Sequence, residues 1–132
     1  MMNASPAGFE GLIQRFGIGK RASTGVVHNG TGYFACTPQA PYDASLSVAE
    51  QTRQLLAKAD ARLAEIGTGK DKLLFVAIIL ADMSGYAEMN EVWDEWVGGI
   101  APPSRACFSA ALASPALKVE MIMISAVPPQ IS

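Results

Sequence analysis

The segment from Pro102 to Val127, PPSRACFSAALASPALKVEMIMISAV, carries two charges, Arg105 and Glu120, inside runs of small and apolar residues. A guanidinium is a rigid fork of N–H donors matched to a carboxylate, and Ser104, Ala106 and Cys107 leave room for an acid beside Arg105. Glu120 can orient or deprotonate a water next to that acid. Equally, the two residues can form an ion pair that offsets the burial cost of both charges. The two-residue period of a strand puts Arg105, Cys107 and Ser109 on one face, and Lys118, Glu120, Ile122 and Ile124 on one face of a second strand. Closed as a hairpin through LASPA, with Cys107 near Glu120, the pair is expected to set Arg105 and Glu120 diagonally on one face, about 7–8 Å apart.

Other reactive side chains give weaker signals. Cys107 as a nucleophile needs a neighbour that lowers its pKa; Arg105 is near, but no base is evident, and a small packed thiol is the simpler reading. His28, the single histidine, adjoins an Asn-Gly turn and reads as an exposed turn residue rather than a general base. With two isolated cysteines and one histidine, neither a disulfide framework nor a zinc site has its ligands, so no metal is expected. GTGKDK lacks the spacing of a phosphate loop and reads as a helix stop followed by a charged turn.

These residues need elements to hold them. STGVVH and GYFACT flank Asn29-Gly30, the strongest short hairpin signal, because both turn positions tolerate positive φ. Ser47-Val-Ala-Glu50 matches a capping box, and Val48, Thr52, Leu55, Leu56, Ala59, Leu63 and Ile66 recur at helical spacing up to a stop at Gly67. KLLFVAIIL is continuously apolar, as for a strand covered on both faces. A second helix is expected from about Ser84 to Val97, with Tyr86, Met89, Trp93 and Trp96/Val97 as its packing stripe and Gly98-Gly99 at its end. The order is ββαβαββ, an α+β chain with one sheet and both helices on one face. The sheet's other face then lacks a cover, and self-association is expected.

Length and composition bound the rest. A chain of 132 residues suits one domain, here residues 21–132, preceded by an amino-terminal arm, residues 1–20, with at most one short turn in FEGLIQRF. Half the residues are hydrophobic, 17% are charged and the net charge is -2, which favours neither disorder nor nucleic-acid binding. The longest apolar run, Leu73 to Ala81, is too short to span a bilayer, and no signal peptide is evident, so a soluble, cytoplasmic protein without membrane partners is expected.

From about Arg21 to Val127 the chain resembles the Rid family, the reactive intermediate deaminases also called the YjgF family. The resemblance is carried by VVHNGTGYFACTPQAP, QTRQLLAKADARLAEIGTGKDKLL, ILADMSGYAEMNEVWDEW, PPSRAC and KVEMIMISAV, in the family's order and spacing. It implies a chorismate-mutase-like α+β fold with a mixed sheet, assembled as a homotrimer with sites in the clefts between subunits. It further implies Arg105 as the anchor of a substrate carboxylate, Glu120 as the residue that positions water, backbone contacts from Cys107, and a place in the site for Asn90. Cys36 and Thr37 stand over the family's Ser-Gly pair, with Pro38, which has no amide donor, following. Ser23 stands where the best-known branch has a site tyrosine.

The reaction so implied is hydrolysis of 2-imino or 2-enamino acids, such as 2-aminoacrylate, to 2-keto acids and ammonia, with no cofactor. The alternative is a non-catalytic binder that holds a small carboxylic acid in the same cleft. A holdase-like interaction protein, the third reading, would not need Arg105.

Overall fold

The computed structural model describes residues 12–130. Two turns of the chain follow directly from local chemistry. Asn29 (φ 50°) and Gly30 (φ 79°) both take the left-handed conformation and join β2 (Gly25–His28) to β3 (Thr31–Cys36) as an antiparallel hairpin. The Ser47 hydroxyl accepts from the Glu50 N–H at 3.1 Å while the Glu50 carboxylate accepts from the Ser47 N–H at 2.9 Å, and α1 (Val48–Glu65) begins there. Helix α1 stops at Gly67 (φ 89°), whose N–H reaches Ala64 O at 3.1 Å while that of Thr68 reaches Leu63 O at 2.9 Å; two otherwise orphaned carbonyls are thereby satisfied.

β4 (Leu73–Leu80) follows, then α2 (Tyr86–Trp96), entered through a short 3-10 turn at Met83–Gly85. β5 (Ser104–Ser109) and β6 (Val119–Ala126) complete the sheet. A further strand, β1 (Ile13–Phe16), pairs antiparallel with β2, so part of the stretch expected to be an arm is an edge of the sheet. Residues 1–11 of that arm lie outside the described residues.

The sheet is mixed and six-stranded, in the order β1-β2-β3-β6-β4-β5. Both helices are crossovers. α2 carries the chain from β4 to its parallel neighbour β5, whereas α1 connects β3 to β4 across a gap that β6 fills, antiparallel to both. The helices pack against each other over one face of the sheet. Leu55, Ala59 and Leu63 of α1 and Met89 and Trp93 of α2 are buried there against Val76, Ile78, Leu80, Val119, Met121 and Met123.

The expected hairpin between the last two strands does not form: β5 pairs with β4, and β4 separates it from β6. The connection is drawn away by buried Gln51 of α1, whose Nε2 donates to Ala116 O at 2.8 Å and whose Oε1 accepts from Lys118 N at 2.9 Å. Lys118 Nζ continues this tether by donating to the carbonyls of Ala44 and Leu46. Burial supplies the driving force. β6 places Val119, Met121 and Met123 in the core with a paired strand on each side, while β5, with serine at both ends and Arg105 within it, takes the edge.

The face away from the helices carries Tyr33, Phe108 and Ile122, each more than two-fifths exposed, and half-buried Phe75 and Ile79. The continuous apolar run of β4 is thus covered on one face within a single chain, and the expected bare apolar face is present.

Candidate functional site

Strand parity, once the pairing is known, decides where the candidate residues point. Arg105 pairs with Val76, which is fully buried beneath the helices, so its side chain rises on the helix side. Glu120 pairs with Ile79 in a row continued by Phe108, and this row lies on the open face. The two charges therefore stand on opposite faces of the sheet, not diagonally on one face. With strands about 4.8 Å apart, a rise of about 3.3 Å per residue, and an offset of two strands and three residues, their backbones are roughly 14 Å apart. They do not form an ion pair: among the described residues the salt bridge is Lys72–Asp71 at 3.1 Å.

What Arg105 meets instead is helix α2. The crossover from β4 to β5 lays the stripe Tyr86, Asn90, Trp93, spaced four and three residues apart, above the edge strand. Arg105 Nη1 donates to Asn90 Oδ1 at 2.8 Å and Nη2 donates to the Tyr86 hydroxyl at 3.2 Å. The guanidinium carbon lies 5.3 Å from the centre of the Trp93 ring and 5.9 Å from that of Tyr86, within cation–π range of both. Two hydrogen bonds and two aromatic rings hold the plane of the guanidinium, while a guanidinium has five N–H donors in all, so donors remain for a ligand. Tyr86 and Trp93 belonged to the expected packing stripe; their spacing relative to Asn90 was visible, but their target depended on the crossover.

Cys107, two residues along the same face, is half-buried against the core; burial pushes its thiol up, partly opposed by the charge of Arg105. Its expected place beside Glu120 is overturned by the same strand pairing. Cys36 ends β3 with its thiol in the core, 3.5 Å from Leu55 O, and burial pushes it up as well, more than Lys58 and Arg62 pull it down. Thr37 shares its hydroxyl with the Tyr42 hydroxyl at 3.2 Å and with Lys58 Nζ at 3.4 Å, and Lys58 Nζ also donates to Pro38 O at 3.1 Å. Ser23 is half-buried just before β2.

Within one chain these residues form two separate groups. Arg105, Asn90 and Cys107 lie at one edge of the sheet, whereas Ser23 adjoins β2, four strands away, roughly 19 Å at the usual strand spacing. Thr37 follows β3, three strands from β5, and Glu120 sits between the groups on the far face. Among the described residues no cluster of three or more His, Cys, Asp or Glu side chains could hold a metal, and no helix is long and apolar enough to cross a membrane.

An α+β chain with one mixed sheet, two crossover helices on one face and an arginine clamped at the sheet edge is the class of protein these features define. Residues 19–127 match the family model described as endoribonuclease L-PSP. The chain is 43% identical over 114 residues to a RutC family protein of Haemophilus influenzae, covering 86% of this chain and 97% of the relative. A RutC family protein of Haemophilus ducreyi is 40% identical over 116 residues, covering 88% of this chain and 97% of the relative. Among solved structures, a YjgF family protein of Neisseria meningitidis superposes with a TM-score of 0.83 at 38% identity, over 92% of this chain and 99% of that one. The chain belongs to the Rid family, also called YjgF.

Proposed function

We propose that the protein is an enamine/imine deaminase that hydrolyses 2-imino or 2-enamino acids to 2-keto acids and ammonia. One observation carries the reading: the guanidinium of Arg105 is held by Asn90, Tyr86 and Trp93 rather than neutralised by a carboxylate, so its charge and part of its fork are left for an acid. A 2-enamino acid first tautomerises to the imine. Water then adds to the imine carbon, the C=N π bond becoming an N–H bond, and the tetrahedral carbinolamine expels ammonia as the carbonyl forms. Every atom comes from substrate and water. Anchoring the carboxylate and placing the water supply most of what such an enzyme must contribute.

The separation of Arg105 from Glu120 favours a site shared between copies of the chain. In this reading the exposed apolar face closes against neighbours in a homotrimer. The clamped Arg105 of one copy then faces Glu120 and the Thr37 and Ser23 segments of another, with Glu120 orienting the water. The net charge of -2 does not favour a nucleic acid as the ligand.

The test follows pyruvate release from 2-aminoacrylate generated in place by a dehydratase, with native protein, Arg105→Ala, Arg105→Lys and Glu120→Gln. Native protein should accelerate release. Arg105→Ala should lose about 30-fold or more in kcat/KM, as expected for truncating one partner of a buried charged contact. Arg105→Lys should recover only part of this, because an ammonium lacks the fork. Absence of acceleration by native protein across several amino-acid-derived imines, with acid binding retained and lost in Arg105→Ala, would replace this reading with the non-catalytic acid binder.

A further inference from the structure

We propose that Tyr86 is a substrate-binding residue whose hydroxyl donates to the same carboxylate that Arg105 holds. The inference rests on the acid-binding reading of Arg105 and adds a second, neutral donor to it. A phenol has one proton to give and lone pairs to accept with. The Tyr86 oxygen accepts from Arg105 Nη2 at 3.2 Å, which uses a lone pair and leaves the proton, and among the described residues no acceptor takes it. Tyr86 is 41% exposed, whereas its neighbour on the guanidinium, Trp93, is 4% exposed. Tyr86 is thus the wall that a ligand meets and Trp93 the floor behind it. An acid docked on the free side of the Arg105 fork brings one carboxylate oxygen alongside the phenol, where an O–H···O⁻ bond is of the strong, charge-assisted kind.

The arrangement also bears on ligand class. An anionic planar carboxylate can accept from guanidinium and phenol at once, with both donors converging from the Arg105 side. The corresponding neutral amide offers one carbonyl acceptor in place of two carboxylate oxygens. Acids are therefore preferred over amides of the same shape, and part of that preference belongs to Tyr86.

Binding of pyruvate and 2-oxobutyrate to the full chain, measured by calorimetry and by fluorescence of the tryptophans, tests this. Tyr86→Phe keeps the ring over Arg105 and removes only the hydroxyl, and it should weaken both acids about tenfold or more, the span of a hydrogen bond to a charged group. Difluorotyrosine placed at position 86 lowers the phenol pKa towards neutrality. As pH rises and the proton leaves, acid affinity should fall in this protein and not in the native one, because a phenolate cannot donate. Affinity within twofold of native in Tyr86→Phe, while Arg105→Ala abolishes binding, overturns the proposal and leaves the acid site standing. Affinity that rises with pH in the difluorotyrosine protein also overturns it, assigning Tyr86 only the positioning of Arg105. If native protein binds neither acid, the acid-site reading falls and Tyr86 with it.

Discussion

Arg105 and Glu120 stand on opposite faces of one sheet, on strands that both pair with β4. Two charges that looked like partners in the sequence are separated by a fully apolar strand, and neither neutralises the other. The arginine is held by a helix instead, through Asn90 at 2.8 Å. If both residues serve one reaction, they do so from different copies of the chain.

That requirement gives a complementation experiment. Arg105→Ala and Glu120→Gln should each be strongly impaired alone, and chains of the two variants co-expressed or refolded together should recover part of the native rate, because mixed assemblies contain interfaces with an intact arginine and an intact glutamate. Recovery no greater than the sum of the separate variants would rule out a site shared in this way.

The exposed face of Tyr33, Phe108 and Ile122 should control assembly. Ile122→Glu places a charge at its middle and should convert an assembly of the 13.9 kDa chain into monomer in sedimentation, with the helical signal in circular dichroism retained, since Ile122 points away from the helices. A native protein that sediments as a monomer contradicts the proposed trimer outright.

The capping box of α1 links stability to pH. The backbone N–H of Ser47, and then its hydroxyl, hold the Glu50 carboxyl below its ordinary value of 4.5. A lowered folded-state pKa means that the carboxylate's contribution is complete above the unfolded value and is lost as pH falls through the folded one. The stability gap between native protein and Glu50→Ala, measured by denaturant unfolding, should therefore be widest near neutrality and close in acid. Ser47→Ala should cost about 1 kcal/mol near neutrality.

Cys107 should alkylate slowly. Burial raises its thiol above the ordinary 9.0, and only Arg105 pulls it back, so little thiolate exists near neutrality. Iodoacetamide labelling followed by mass spectrometry should show Cys107 reacting more slowly than a free thiol at the same pH, accelerating as pH climbs past 9, and slowing further in Arg105→Ala. Rapid labelling at neutral pH would revive the nucleophile reading of this residue.

What a stretch of sequence specifies depends on the range over which its signal acts. Ser47 with Glu50, Asn29 with Gly30, and Gly67 act through hydrogen bonds and backbone angles within a few residues, and each formed as its local pattern required. The apolar stripe of α1 likewise reached the core, because a helix's period is set within the helix. Ile13–Phe16 carried no such local mark and became a strand through its partner β2.

The sequence by itself determined the helices, the turn, the alternation along each strand and the presence of an arginine and a glutamate in the last two strands. Only the tertiary structure decided which alternation faced the helices and which strands became neighbours. Strand pairing is a contest between distant segments for buried positions, and Gln51 drew the connection before β6 across to α1 while β6 filled the gap between β3 and β4. That placement put β5 at the edge beneath α2, so Arg105 met Tyr86, Asn90 and Trp93 rather than Glu120.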